Sequence, residues 1–187
     1  MRESIRTSLL TVFVISGIQA QAPSPVPKLV VGLTIDQLRA DYIEAFSALY
    51  GERGFKRLLK EGRIYTNAEY DFINVDRSSA TASIYTGTTP YYNGIPSNRW
   101  MDRGSLRIIK SVDDQDFMGV YTSESSSAKL LRCSTLSDEL KVATQGRAEI
   151  YSIAPTREMA ILAAGHAANG AFWLNDETGK WAGTTYY

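Results

Sequence analysis

The apolar residues of this chain change period along its length, and the changes mark out its elements. Lys28 to Thr34, KLVVGLT, is a continuous aliphatic run of the kind found in a strand buried on both faces, as in a parallel sheet covered by helices. Directly after it, within Gln37 to Leu49, Leu38, Tyr42, Phe46 and Leu49 fall at helical spacing, and Phe55, Leu58 and Leu59 repeat that spacing in a second short helix. Ser79 to Tyr85 reads as a helix rich in small residues, stopped by Gly87 and Pro90. Asp102 to Ser127, with DDQD and SESSS and little periodicity, predicts a surface excursion or cap element. Thr135 and Asp138 match the Ser/Thr-x-x-Asp/Glu capping pattern ahead of Leu136, Leu140 and Val142, in a helix that should end near Gly146. Ala148 to Ile153 is the next strand and Thr156 to Ala164 the next helix. Ala171 to Leu174 and Trp181 to Tyr187 then form a hairpin across the turn Asn175 to Lys180. This alternation predicts an α/β fold with a mostly parallel sheet, whose ligands gather at the carboxyl ends of the strands.

The first twenty residues do not belong to that pattern. Arg2 and Arg6 form a positive start, Leu9 to Ile18 an apolar stretch, and Gln19-Ala20 a small-residue end, which together read as a secretory signal peptide. The apolar stretch is too short for a membrane span, and no other run approaches the ~20 residues that a span needs. Residues 21–27, with Pro23, Pro25 and Pro27, follow as a stiff leader, and residues 28–187 form one domain. Cys133 is the only cysteine, so no internal disulfide forms, and no cysteine stands at the cleavage point to carry a lipid. A periplasmic or secreted destination fits this pattern. The 187 residues carry 20 basic and 20 acidic side chains, a balance that argues against nucleic acid as a partner. Oligomeric state is not legible in the sequence.

Candidate chemistry begins at Asp36, two residues past the first strand, where a carboxylate faces the ligand crevice. Taken alone, an Asp before a helix is more often an N-cap than a metal ligand. The stretch NVDRSSATASIYTGTTPYYNGIPSNRW, residues 74–100, brings small hydroxyl residues into a helix entrance, the setting in which backbone N–H groups bind a phosphoryl group.

LTIDQLRADY with GFKRLLKEGR, then YTGTTPYYNGIPSNRW, then AILAAGHAANGAFWLNDETGKW and TTYY resemble, in order and spacing, the amino-terminal part of secreted bacterial alkaline phosphatases related to type I phosphodiesterases and nucleotide pyrophosphatases. The resemblance to the alkaline phosphatase superfamily runs from about Lys28 to the last residue. It implies a doubly wound α/β core, two Zn2+ ions, a Thr or Ser nucleophile at a helix amino terminus, a phosphoryl-enzyme intermediate and a small phosphate-ester substrate. It also implies that Asp36 ligates one zinc.

The same resemblance locates departures. It implies a nucleophile nine residues before Thr86, a count that reaches Arg77, whose guanidinium stays protonated and repels zinc. Ser78 or Ser79 serves instead only if the turn before the helix is bulged, and Ser78 is the candidate nucleophile on that reading. Otherwise one of the two serines caps the helix, while Arg77 crosses an emptied site or binds an anion there. The family's phosphate-binding Lys and Arg stand ten and eight residues before His166, counts that reach Thr156 and Glu158. Glu158 opposes a phosphate dianion, and Arg157 between them is expected to face solvent. Asn98 matches an Asn that in the family hydrogen-bonds a phosphoryl oxygen; its plainer role is that of a turn residue.

His166 belongs to the AGH motif and is not a ligand in the relatives, so the remaining zinc ligands are expected downstream, in a longer protein. A sulfatase reading fails for want of its Cys/Ser-x-Pro-x-Arg motif, a P-loop for want of its first glycine, and dinucleotide binding for want of G-x-G-x-x-G. The rival to a phosphoric-ester hydrolase is a periplasmic pseudophosphatase that binds an anionic ligand or acts as a structural partner. On the export reading, mass spectrometry of the exported protein is expected to find an amino terminus at Gln21 or within two residues of it; an intact Met1 in that fraction would refute it.

Overall fold

The computed structural model describes residues 26–187; the segment expected to be a signal peptide and most of the expected leader lie outside the described residues. Along the chain run α1 (Ala40–Ala45), a 3-10 turn (Ser47–Leu49), α2 (Phe55–Glu61), α3 (Arg77–Thr86), α4 (Pro90–Asn93), β1 (Arg99–Asp102), β2 (Arg107–Lys110) and β3 (Gly119–Val120). There follow α5 (Leu136–Ala143), β4 (Tyr151–Ala154), α6 (Arg157–Ala164), β5 (Gly170–Asn175) and β6 (Lys180–Thr184).

The fold is α/β, but its sheet is mixed. The four-stranded sheet has the order β3-β6-β5-β4. Only β4 and β5 are parallel, joined through α6 as a β-α-β unit; β5-β6 and β3-β6 are antiparallel. The expectation of a mostly parallel sheet is corrected accordingly. The turn Asn175 to Lys180 does close a hairpin, as its polar, Gly-containing sequence predicts, although β6 ends at Thr184 and Tyr186 and Tyr187 lie past it.

Lys28 to Thr34 is not a strand. The run carries strand propensity, but propensity is expressed only when a neighbour supplies a ladder. Here the segment makes no ladder, and Leu29, Val31 and Leu33 are exposed. It is held through side chains instead: Thr34 Oγ1 lies 3.3 Å from the Tyr85 hydroxyl, and Val30 and Gly32 share a cleft with Ile150, Tyr151 and Ile153 of the β4 region.

Asp102 to Ser127 is a surface excursion over most of its length, as expected, but not throughout. β1 and β2 pair as an antiparallel hairpin, and the residues that follow turn inward, burying Ser111, Val112, Asp114, Ser126 and Ser127. Polar residues can be buried there because each finds a partner; Ser127 Oγ donates to Asp114 Oδ2 at 2.6 Å, and Ser126 O accepts from Thr184 Oγ1 at 2.6 Å. At these few positions weak periodicity marked polar burial rather than a polar surface.

The core joins Ala82 of α3, Ile95, Val112, Leu131, Ala160 to Leu162 of α6, Ala171 and Trp173 of β5, and Ala182 of β6. α6 packs on β4 and β5 and also against α3. α3 meets it with small residues, Ser78, Ser79, Thr81 and Ala82, all buried. Small side chains let the two helices approach closely, so the helix that carries the candidate site is rigidly seated on the β-α-β unit. At its far end Gly87 takes the left-handed conformation (φ 67°), which a residue without a Cβ adopts without strain, and its N–H donates to Ser83 O.

Candidate functional site

The register of α3 decides which side chain stands at its entrance. Asp76 is the N-cap: its Oδ1 accepts from the backbone N–H of Ser79 at 2.9 Å, and Ser79 Oγ in turn accepts from the backbone N–H of Asp76 at 2.9 Å. The reciprocal pair satisfies two of the donors that a helix start leaves free. Neither Ser78 nor Ser79 is the cap; Ser79 is the third-residue partner in the box. The other Asp76 oxygen accepts from Ser97 Oγ at 2.7 Å and from Asn98 N at 2.6 Å, which ties the 97–98 loop to the helix entrance. Burial raises the carboxyl pKa of Asp76, but the hydrogen bonds from Ser79, Ser97 and Asn98 outweigh it, and the net shift is downward.

With Asp76 as cap, Arg77 is the first helical residue. Its side chain turns outward and its Nε donates to Asp36 Oδ2 at 2.9 Å. Asp36 caps nothing: the N-cap of α1 is Arg39, which makes no side-chain cap bond. Gln37, next to Asp36, and Asn74, two residues before the cap, both take positive φ (59° and 60°), so the chain bends sharply on either side of this pair. Both side chains of the pair remain about two-fifths exposed, and an ion pair so placed contributes only about 0–1 kcal/mol. It is a contact of position and charge rather than of stability.

Ser78 points the other way. It is fully buried, its Oγ donates to Asn98 Oδ1 at 3.2 Å, and Ser111 Oγ lies 3.3 Å from it. Ser111 Oγ also reaches Asn98 Oδ1, at 3.4 Å. Of the four residues singled out in the sequence, the structure therefore brings Arg77 and Asp36 together on the outer side and Ser78 and Asn98 together on the inner side.

The second place at which the sequence departs from the expected pattern holds another correction. Arg157 is not solvent-facing but 5% exposed. Its Nη2 donates to Asp113 Oδ1 at 2.7 Å and its Nη1 to Ser126 Oγ at 3.2 Å, with Glu124 and Glu158 oxygens at 3.6 and 3.5 Å. Glu158 and Glu124 join Thr156, Asn175, Asp176 and Glu177 around a polar cavity of about 450 Å³. Asp113, Glu124 and Ser126 were missed in the sequence because they lie in the stretch read as surface.

The described residues do not by themselves make a zinc site. Among the described residues no three His, Cys, Asp or Glu side chains gather as a metal would require, and Asp36 already faces a guanidinium.

The model of the type I phosphodiesterase / nucleotide pyrophosphatase family matches residues 30–187. The chain belongs to that family. It is 41% identical over 164 residues to alkaline phosphatase PhoV of Synechococcus elongatus, an overlap of 86% of this chain and 30% of that protein. To alkaline phosphatase PafA of Elizabethkingia meningoseptica it is 37% identical over 186 residues, 96% of this chain and 34% of the relative. The crystal structure of wild-type PafA superposes with a TM-score of 0.84 at 36% identity, covering 88% of this chain and 32% of that one. The chain thus spans about a third of the length of these relatives. Homology places it in the alkaline phosphatase superfamily, and no helix among its described residues is long and apolar enough to cross a membrane.

Replacing Asp76 removes the cap and strands the donors of Ser79, Ser97 and Asn98. Asp76→Ala is expected to lower unfolding stability by about 2–4 kcal/mol, read from urea midpoints. Because the folded carboxyl pKa is depressed, the stability this group contributes is present above the unfolded value near ~3.9 and is lost as pH falls below it. The wild-type and Asp76→Ala midpoints should therefore converge on acidification.

Proposed function

We propose that the protein is a phosphoric-ester hydrolase by descent that binds an oxyanion at the α3 entrance and has lost the presented nucleophile, making it a catalytically degenerate, periplasmic or secreted member of its family. The observation that carries this is the register of α3, with Arg77 outward on Asp36 and the Ser78 hydroxyl inward on Asn98 and Ser111. A nucleophilic hydroxyl must reach the phosphorus and have a base or metal to take its proton. Ser78 has a hydroxyl and an amide carbonyl as its neighbours, neither of which is a base.

What the entrance retains is binding chemistry. The guanidinium of Arg77 matches a phosphoryl oxygen pair in geometry and charge. Asp36 competes for the same guanidinium, so an anion binds by displacing it. A bound zinc pair would supply the Lewis acid of the family's reaction, with Asp36 as one ligand; in this chain that role requires Arg77 to leave Asp36.

Charge at Glu158 bears on the ligand. A phosphodiester carries one negative charge and a phosphomonoester two, so the monoester meets the greater repulsion where the family pattern has an Arg. Esters with a single charge are the better ligands.

The active reading, with Ser78 as nucleophile, has one observation in its favour: the side chain already sits beside Asn98, the family's phosphoryl partner. It requires the first turn of α3 to rewind by one residue, a swing of roughly 100° that breaks the Asp76 box. Turnover of diesters and monoesters by the full-length, zinc-supplied protein separates the two. The degenerate reading expects wild-type and Ser78→Ala proteins to show the same background, and phosphate to raise the melting temperature of wild type but not of Arg77→Ala. Diester turnover abolished by Ser78→Ala would overturn it.

A further inference from the structure

His166 sits in the AGH motif, away from the α3 entrance, and the functional reading above leaves it unexplained. Its ring Nδ1 lies 3.1 Å from Asp138 Oδ2, and its Nε2 lies 3.0 Å from the carbonyl oxygen of Leu131. A carbonyl only accepts, and so does an ionised carboxylate. A neutral imidazole has one N–H and one lone pair, so in this setting the lone pair would face an oxygen lone pair on one side or the other. Only the doubly protonated ring donates to both.

The surroundings are built for that state. Asp138 also accepts from the backbone N–H groups of His166 and Ala167, both at 2.8 Å, and from Thr135 N at 2.8 Å. Burial raises its carboxyl pKa, yet the bonds from His166, Thr135 and Ala167 overcome this and hold it far below the usual carboxylate range. The carboxylate is thus present throughout the range in which histidine titrates. Gly165 has φ 75°, and a Cβ there would collide with Thr135 Oγ1 and the Asp138 carboxylate, so the glycine of AGH is what lets the turn close on α5.

The contact leads on to the site helix. Leu131 O accepts from His166, and the next residue, Arg132, donates its N–H to Asn93 O at 2.9 Å. Asn93 is fully buried and its Nδ2 reaches Ser83 Oγ, Thr86 Oγ1 and Thr88 O at 3.3, 3.5 and 3.2 Å, on and just beyond the last turn of α3.

We propose that His166 is held as an imidazolium and works as a pH-operated clasp, closing the AGH turn on α5 and positioning α3 through Leu131, Arg132 and Asn93. The groups facing it are few. Asp138 of α5 favours the charged ring, while Arg132 ahead of α5 and Lys141 of α5, which line the same cavity with Cys133, oppose it. Lys141 is occupied by Ala148 O and Asn169 Oδ1 at 2.7 and 2.9 Å. Tyr187 donates to Gly165 O at 2.8 Å, and burial pushes its hydroxyl far above its ordinary value, so it stays neutral.

The bond to Asp138 raises the histidine pKa; burial opposes this, and the Leu131 carbonyl adds to the rise. A raised folded pKa means that the stabilisation is complete below the unfolded value near ~6.5 and fades as pH climbs through the folded one. The ring is more than a third exposed, so protons reach it without unfolding.

His166 is the only histidine of these 187 residues, so its ring ¹⁵N resonances in the chain are unambiguous. The expected result is an imidazolium at pH 7 with a midpoint above the ordinary histidine value, moved down by Asp138→Asn. Amide exchange at Arg132 and Gly87 should quicken across the same midpoint. The melting temperature of wild type should fall by roughly 2–4 °C, relative to His166→Gln, as pH rises through it. A neutral tautomer at pH 7 with a midpoint at or below the ordinary value overturns the proposal. So does exchange at Arg132 and Gly87 that ignores the midpoint. The ring titration and the exchange are read on wild type and stand even if a variant fails to fold.

Discussion

Everything proposed for the α3 entrance depends on the box between Asp76 and Ser79. An N-cap carboxylate with a reciprocal third-residue hydroxyl defines a helix start to the single residue, because each partner can meet the other only at that spacing. Moving the start by one position turns every side chain of the first turn by roughly 100°. Asp76 makes such a move costly, since its second oxygen is bonded to Ser97 and Asn98 and the box cannot slip without releasing that loop. Arg77 outward and Ser78 inward are consequences of one carboxylate.

The second place of departure shows the same inversion of charge. Where the resemblance implies cations for a phosphate, this chain has Thr156 and Glu158, and its one cation there, Arg157, is turned into the protein and surrounded by Asp113, Glu124 and Glu158. Such a group has little free charge to offer a ligand, because the guanidinium is buried and already paired with these carboxylates. The two places agree: at one an arginine stands where the resemblance implies a hydroxyl, and at the other an arginine is turned into the structure.

Much of this was legible in the residues themselves. The Thr135–Asp138 box, the helix over Thr156 to Ala164 and the terminal hairpin have short-range signals, and each formed as its signal predicts. Arg77 at the helix entrance was equally visible, since the count from Thr86 that reaches it needs only the sequence. Three things were not. Lys28 to Thr34 has the pattern of a buried strand, but strand formation is decided by neighbours that a local pattern does not contain. The burial of Ser111, Asp114, Ser126 and Ser127 rests on polar pairs such as Ser127 with Asp114, which leave no hydrophobic period. And Asp76 itself was passed over as cap: two serines drew attention at the helix entrance, whereas the Asp before them had the better geometry.

The central claim is that the entrance of α3 presents residue 77 and hides residue 78, and thiol labelling tests it most directly. In a Cys133→Ala background, the single substitutions R77C and S78C place a probe at each position with little change in the volume of the serine site. The account predicts that R77C reacts with a small alkylating reagent at the rate of an exposed thiol, while S78C is protected by orders of magnitude until denaturant is added. Equal rates at the two positions, or a reactive S78C beside a protected R77C, would contradict it.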